Sequence, residues 1–394
     1  MRTRRCPDAF TTHMALDSRQ LKQSAMQQCG LSRFGAAPLD EGLERYCWSL
    51  SHEAALNERG LAIAGQSIVA TLVERLKIEG YVERHREILD QPLAPIVMII
   101  GMPRTGTTAL SQYLSEDSRV RSIWRWEAAE LTPPAPGYQG EDPRIERTRQ
   151  SFAARDRELP WLQSMLPVAY DDTAEHGPLL GLTFLNLQLP VRHRVPSYSD
   201  WMIEQDMTPA YAYLAKVLKL LQWNNRRQLW SLKNPPDLFA LDAIDAVFPD
   251  ARFIWTHRNP TESIGSVCSL AAALRSSAGA AVSKDEIGTT LASFWAEGVH
   301  RAMALRESLG DSRFVDVNQR DLSADIVGTM SGVYNRLGIP FTEDYRVRLQ
   351  QRVTEKPPGR HGKHRYSLTD FGIDAASLHA TFAGYIDRFS VPLN

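Results

Sequence analysis

Residues 96–108 of the chain read IVMIIGMPRTGTT, and this stretch decides the fold class. Its first five residues are apolar and four of them are β-branched, which is typical of a strand buried on both faces of a sheet. Apolar residues at helical spacing follow, at Ala109–Leu110 and Tyr113–Leu114. The stretch therefore predicts a buried strand, a glycine-containing turn and a helix in direct succession.

The same alternation of helix and strand continues toward the C-terminus. Further strands are predicted at 229–232, 252–256 and 314–317, each after a segment with apolar residues at helical spacing. A last helix over 326–337 ends at Gly338. Such alternation predicts an α/β fold: a P-loop-like three-layer sandwich with a mostly parallel central sheet flanked by helices.

The region before the first strand has a different pattern. Residues 41–90 carry an apolar face at helical spacing, and Asp90 to Pro92 ends that block. We therefore divide the chain into an N-terminal helical segment, 1–90, and an α/β domain, 91–394. About the first fifteen residues of the segment are expected to be disordered.

The composition limits the classes of partner. The 394 residues include 45 basic and 46 acidic side chains, so no overall field favours nucleic acid or an anionic membrane. The longest apolar run, 95–101, is too short to span a bilayer. The four cysteines have no metal-ligand spacing. We expect a cytoplasmic protein without a metal, whose basic site is local and suits a small polyanion.

The turn after the first strand has the features of an anion site. The first N–H groups of a helix have no partner within it, and the helix dipole places positive potential there. Gly106 lets the backbone approach an anion, Thr105, Thr107 and Thr108 offer hydroxyl donors, and Arg104 supplies a permanent charge. A plain glycine turn with a capping threonine is the structural alternative.

A second basic element follows another predicted strand. Arg258 comes directly after the strand 252–256, and Ser266 lies eight residues later, about two turns into the next helix. Both side chains can point into the crevice at the carboxyl ends of the strands, where they would bind a second phosphate. A surface arginine and an ordinary helical serine are the alternative interpretation.

Taken together, the two elements resemble the sulfotransferases. Pro103–Thr108 is similar to the 5′-phosphosulfate loop of that family, in the form found in its tyrosylprotein and bacterial branch. Arg258 with Ser266 resembles the family's 3′-phosphate site. The resemblance covers about residues 95–370 and implies the donor 3′-phosphoadenosine 5′-phosphosulfate (PAPS), its product PAP, and no metal.

Three further segments extend the resemblance. Lys233 matches the lysine of a Lys-Thr-His triplet in cytosolic members, whereas Pro235 stands where those enzymes have a catalytic histidine. Gln319 stands where the family has a tyrosine that contacts adenine. The basic loop 359–365 resembles the late loop over the 3′-phosphate, and its candidate donor ligands are Gly362, Lys363 and Arg365.

Sulfuryl transfer requires cations and a base. We assign Arg104 and Lys233 to the negative charge that develops on the leaving group. Two residues are candidates for the base. Glu127 resembles the base of the tyrosylprotein branch, with an ion pair to an arginine as its structural alternative. His176 lies among three acids, with a structural role in a helix-capping loop as its alternative.

The acceptor is predicted from aromatic residues between the two donor elements. They are Trp124, Trp126, Trp161, Tyr170, Phe184, Tyr198 and Trp201. Such residues form either an apolar acceptor pocket or core. We predict a sulfotransferase that acts on a hydroxyl or amine of a small, partly apolar molecule, as a monomer or a homodimer. A P-loop kinase or a non-catalytic nucleotide-binding module is the alternative.

Overall fold

The computed structural model describes residues 15–135, 137–357 and 366–393. The expectation of disorder for about the first fifteen residues lies almost wholly outside the described residues. Three of the predicted donor ligands, Gly362, Lys363 and Arg365, also lie outside them.

A five-stranded sheet forms the centre of the molecule. Its strands are β1 Ile96–Ile100, β2 Val120–Ser122, β3 Leu229–Lys233, β4 Arg252–His257 and β5 Phe314–Asn318. Every neighbouring pair is parallel, in the order β2-β3-β1-β4-β5. The prediction of an α/β fold with a mostly parallel sheet is therefore confirmed.

Most of the other described residues lie in helices. The α-helices are α1 Ser18–Cys29, α2 Asp40–His52, α3 Glu58–Arg84, α4 Glu87–Asp90, α5 Thr107–Ser115, α6 Arg125–Ala129, α7 Pro143–Glu158, α8 Leu162–Met165, α9 Gly177–Leu180, α10 Leu189–Arg192, α11 Pro196–Met202, α12 Thr208–Gln222, α13 Leu241–Val247, α14 Pro260–Ser277, α15 Lys284–Leu309, α16 Gln319–Ala324, α17 Ile326–Arg336, α18 Glu343–Glu355, α19 Ala375–Thr381 and α20 Ala383–Arg388. Short 3₁₀ helices lie at Gly181–Thr183, Pro235–Phe239, Asp311–Arg313 and Leu368–Phe371.

Strand β1 shows why the sheet lies between two layers. All five of its side chains are buried, and they alternate between the two faces. Ile96, Met98 and Ile100 belong to one hydrophobic cluster, whereas Val97 and Ile99 belong to the other. A central strand that is apolar at every position can only lie in a sheet with helices on both faces, so the three-layer prediction is confirmed.

The N-terminal helices share the larger of these clusters with the sheet. Arg75 of α3 is fully buried, and its guanidinium donates to four backbone carbonyls. The acceptors are Phe34 O at 2.6 Å, Ala37 O at 2.6 Å, Pro38 O at 2.9 Å and Leu182 O at 2.8 Å. One side chain thus joins the segment before residue 90 to the region after it.

The order of the strands creates the crevice for a site. Strands β3 and β4 lie on opposite sides of β1. The segments that follow these two strands therefore separate at the carboxyl end of β1. Gly101, with φ of 135°, leaves β1 there. A Cβ at this position would lie 2.6 Å from Thr256 O, so only glycine lets the loop pass this close to β4.

Candidate active site

The loop between β1 and α5 has a left-handed backbone at two positions. Arg104 has φ of 70° and Gly106 has φ of 98°. Helix α5 then begins at Thr107, so its first N–H groups open toward the carboxyl ends of the strands. Glycine adopts such angles readily, but arginine does so at a cost of about 1–3 kcal/mol, which is typical of residues held in place at functional sites.

Side chains fasten this loop to β4. Thr105 is fully buried, and its Oγ1 donates to Met102 O at 2.7 Å. The same oxygen lies 2.6 Å from Thr256 Oγ1. The hydroxyl of Thr105 is therefore used inside the protein, and only its backbone remains for an anion in the crevice.

The second predicted element touches the first. Arg258 Nη1 donates to Arg104 O at 2.8 Å, and Arg104 Nε donates to Ser266 Oγ at 3.1 Å. Ser263 Oγ donates to Pro103 O at 2.5 Å. The structure thus brings Arg104, Arg258 and Ser266 together at the mouth of the loop.

This cluster carries excess positive charge. Burial lowers the pKa of Arg104, and the neighbouring Arg258 lowers it further. Within the described residues, Arg104 has no carboxylate partner, whereas Arg258 pairs with Glu262 at 2.6 Å. Two guanidinium groups with one carboxylate between them leave a net cation at the crevice, which an anionic ligand would neutralise.

Lys233 lies at the carboxyl end of β3, on the other side of the loop. Its Nζ donates to Glu175 Oε1 at 2.7 Å and to Thr108 Oγ1 at 3.2 Å. Burial lowers the pKa of Lys233, and the Glu175 carboxylate offsets part of that effect. Lys233 therefore connects the second residue of α5 to a carboxylate that sequence reasoning did not select.

The two predicted bases are buried and held by contacts within the protein. Both oxygens of Glu127 accept from Arg121, at 2.8 and 2.5 Å, and the side chain is buried. His176 is fully buried, with Nε2 3.1 Å from Asp237 Oδ1. These contacts favour the structural alternative for each residue, an ion pair for Glu127 and an internal histidine for His176.

Arg125 is a further cation beside Glu175. Its Nε is buried without a hydrogen-bond partner, and its guanidinium forms no ion pair within the described part of the chain. Burial lowers the pKa of Arg125, while the carboxylates of Glu175 and Asp172 raise it. A buried, unsatisfied N–H is costly, so this position is suited to a ligand with acceptor oxygens.

Two further residues, Gln319 and Tyr366, lie near the loop and the second element. Gln319 lies against Gly106, where an added Cβ would be 3.4 Å from Gln319 Cγ. Tyr366, the first described residue after the basic loop, packs its ring on Gly265 and donates its hydroxyl to Glu262 O at 2.7 Å. Tyr366 therefore packs on the helix that carries Ser266.

The aromatic residues do not form a single pocket. Phe184 and Tyr198 are core side chains, and Tyr198 donates its hydroxyl to Phe184 O at 2.6 Å. Trp126 lines a cavity of about 390 Å³, and Tyr170 lines a separate cavity of about 290 Å³. The predicted acceptor pocket is thus divided between core and two cavities.

Comparison with known proteins shows the family of the chain. Residues 95–343 match the family model described as "Sulfotransferase family". The chain belongs to the sulfotransferase family. It is 25% identical over 281 residues to the omega-hydroxy-beta-dihydromenaquinone-9 sulfotransferases Stf3 of Mycobacterium bovis and Mycobacterium tuberculosis, which covers 66% of this chain and 67% of each relative. The chain is accordingly a sulfotransferase.

Solved structures of mycobacterial sulfotransferases share the whole fold. Sulfotransferase STF9 of Mycobacterium avium has a TM-score of 0.88 and 27% identity, over 95% of this chain and 97% of its own. Sulfotransferase STF1 of Mycobacterium tuberculosis has a TM-score of 0.80 and 28% identity, over 94% of this chain and 100% of its own. The likeness extends to the N-terminal helices, which the family model does not include.

No helix in residues 15–135, 137–357 or 366–393 combines the length and the apolar character that crossing a bilayer demands. The same ranges contain no group of three or more histidine, cysteine or acidic side chains placed to hold a metal ion.

Proposed function

We propose that the chain transfers a sulfuryl group from PAPS to a hydroxyl or amine of a small, partly apolar molecule. The observation that carries this proposal is the contact of Arg104 with Ser266 and of Arg258 with the loop backbone. A helix N-terminus and a cluster of two guanidinium groups then lie side by side, which suits a nucleotide with an anion at each end.

The donor residues divide between these two ends. The backbone of Gly106, Thr107 and Thr108 faces the 5′-phosphosulfate, as does the backbone of Thr105. Arg258 and Ser266 face the 3′-phosphate. We assign the Arg104 side chain to the 3′-phosphate as well, because its Nε already contacts Ser266 Oγ at 3.1 Å. Gly362, Lys363 and Arg365 remain predicted ligands of the same phosphate.

Two cations then remain for the transferring group. Lys233 Nζ lies 3.2 Å from Thr108 Oγ1, and the buried Nε–H of Arg125 is a donor without an acceptor. As the bond between sulfur and the 5′-phosphate breaks, negative charge grows on the leaving oxygen and persists on the sulfuryl oxygens. Cations that are already in place stabilise that charge without reorganisation.

Binding of PAP without added metal tests the donor. In a thermal-shift titration, PAP at about 100 times its Kd should stabilise the protein by about 2.7 kcal/mol, whereas ATP with Mg²⁺ should have little effect. Radiolabelled PAPS with a library of alcohols, phenols and amines then identifies the acceptor. Absence of PAP binding, or stronger stabilisation by ATP with Mg²⁺, would refute the proposal.

Substitution of Arg258 tests the second pocket. Arg258→Ala should weaken PAP binding about tenfold to a hundredfold in calorimetry, because it removes charge-assisted hydrogen bonds of about 1.5–3 kcal/mol. Arg226→Ala, at an exposed arginine, is the matched control. Glu262→Gln should retain or tighten binding, since it frees Arg258 from its ion pair. Equal affinities for the two alanine variants would contradict the assignment.

A further inference from the structure

The segment 173–176 crosses the carboxyl ends of two strands. Ala174 N donates to Ile123 O at 2.7 Å, just beyond β2, and His176 N donates to Lys233 O at 3.1 Å, at the end of β3. The side chains of this segment differ in burial, since Ala174 and His176 are buried whereas Glu175 is not. His176 therefore faces the interior, whereas Glu175 faces the crevice with its side chain about 32% exposed.

Glu175 is connected to the loop through one side chain. Its Oε1 accepts from Lys233 Nζ at 2.7 Å, and the same nitrogen donates to Thr108 Oγ1 at 3.2 Å. The carboxylate thus lies next to the position proposed for the sulfuryl group. Within the described residues, Lys233 is its only ion-pair partner, and part of its surface remains open to a substrate.

The other carboxylate oxygen is held by an amide. Gln188 Nε2 donates to Glu175 Oε2 and also to Asn234 Oδ1 at 2.8 Å. Asn234 Nδ2 in turn donates to Asp237 Oδ1 at 2.6 Å. The Gln188 amide lies flat against Gly177, where any Cβ would collide with it. This chain of hydrogen bonds fixes the direction of the carboxylate without covering it.

Neighbouring cations keep the Glu175 carboxylate ionised, which is the form that can accept a proton. Burial raises the pKa of Glu175, but the charges of Lys233 and Arg125 and the hydrogen bond from Lys233 lower it, with His176, and the pKa lies below its usual value. Glu175 is therefore ionised at neutral pH. A sulfuryl group near Lys233 and Arg125 would compete for both cations and so make the carboxylate more basic when the donor is bound.

We propose that Glu175 is the general base of the sulfuryl transfer, a role that rests on the proposed PAPS donor. The acceptor oxygen forms a bond to the sulfur of PAPS, and the bond from that sulfur to the 5′-phosphate oxygen breaks. The electron pair of the broken bond stays on PAP. The proton of the acceptor moves to a carboxylate oxygen of Glu175 and is later released to solvent.

The test compares acceptors that need a base with one that does not. Glu175→Gln keeps an oxygen for Lys233 but cannot take a proton. With aliphatic alcohols it should lower kcat about 10²- to 10⁴-fold, whereas with 4-nitrophenol, supplied as the phenolate, the loss should be tenfold or less. Water is a further acceptor that needs a base, so Glu175→Gln should also slow the hydrolysis of PAPS. PAP affinity should change less than about threefold.

Three further variants sharpen the result. Glu127→Gln and His176→Gln test the two rival bases. In each variant the ratio of kcat with alcohol to kcat with phenolate should stay close to that of the parent protein. Glu44→Gln, at an exposed acid, is the neutral control. Equal losses with alcohol and phenolate, or no loss, in Glu175→Gln would overturn the role of Glu175. A parent protein that neither binds PAP nor uses labelled PAPS would instead overturn the proposed function.

Discussion

At the scale of single residues, Arg125 illustrates how an unsatisfied group indicates a ligand. Its buried Nε has no acceptor within the described residues, and leaving such a donor unpaired costs about 1–3 kcal/mol. Nearby Glu175 and Asp172 lower that cost through their charge, but both are already engaged by Lys233 and Arg352. Sulfuryl oxygens would supply the missing acceptor.

Replacement of Arg125 should therefore separate PAPS from PAP. Arg125→Gln should weaken binding of PAPS about tenfold or more, because the sulfuryl oxygens lose a charged donor, while the affinity for PAP stays unchanged. Calorimetry with each nucleotide measures both, and Arg226→Gln serves as the control. Equal weakening for PAP and PAPS would place Arg125 at the nucleotide instead, and no change would leave it without a role in donor binding.

Adjacent residues also show where sequence reasoning stops. The sequence indicates an acidic cluster around His176, but it does not distinguish Glu175, the base proposed above, from the other acids of that cluster. The missing information is the path of 173–176 across the strand ends, which buries His176 and leaves Glu175 partly exposed. No local pattern reveals that path, because the contacts to Ile123 and Lys233 come from distant parts of the chain.

At the scale of elements, one ion-pair cluster joins two strands and a helix. Asp316 of β5 accepts from His257 Nε2 of β4 at 2.9 Å and from Arg306 Nη1 of α15 at 2.7 Å. Burial alone raises the pKa of Asp316, but the hydrogen bonds from His257 and Arg306 outweigh it, so the pKa lies well below its usual value. The cluster thus fixes α15 against the sheet.

The sign of the pH dependence follows from that direction. A carboxylate whose pKa is lower in the folded state stabilises the fold fully above its unfolded pKa of about 3.9, and this contribution is lost as the pH falls. Asp316→Asn should lower the free energy of unfolding in urea at pH 7 by about 1–3 kcal/mol. The deficit should shrink toward pH 3.

The control for this prediction is Asp200→Asn, at an exposed aspartate of α11. It should leave the free energy of unfolding at pH 7 within about 0.5 kcal/mol of the parent. A deficit in Asp316→Asn that is the same at every pH would show that packing, and not charge, accounts for it.

The strands themselves were largely predictable. Strands β1, β3, β4 and β5 begin at the predicted residues, because each is an apolar, β-rich run between helical segments. Strand β2 was not predicted, since it has only three residues, Val120–Ser122, and includes the buried Arg121. Arg121, which is buried and pairs with Glu127, is a polar residue in the sequence, so the pattern gives no signal of a buried strand there.

At the scale of the whole molecule, the N-terminal segment belongs to the same core as the sheet. The proposed division at residue 90 describes a change of pattern, but the hydrophobic cluster extends across it. Arg75 strengthens that continuity through its four carbonyl partners, which lie before and after the boundary. No periodicity in residues 1–90 reveals these contacts, because three of the acceptors are in irregular backbone and the fourth is in a 3₁₀ helix.

Removal of this guanidinium should loosen the segment as a unit. Arg75→Met keeps much of the apolar stem but leaves four carbonyls, of which that of Leu182 is buried, without their donor, which should lower the free energy of unfolding by about 2–4 kcal/mol. Arg59→Met, at an exposed position of α3, is the control. Hydrogen exchange should become faster in α1 to α3 before the sheet is affected. Unchanged protection in these helices would contradict the role of Arg75.

The left-handed backbone of Arg104 has a consequence for how this enzyme can change. Glycine is the residue that would relax the turn, and it is also the one that removes every atom of the side chain. At this one position, a substitution that relieves backbone strain also removes a side chain that is proposed to bind the nucleotide. Selection for thermal stability alone should therefore favour Arg104→Gly, which would make the fold more stable and the enzyme less active.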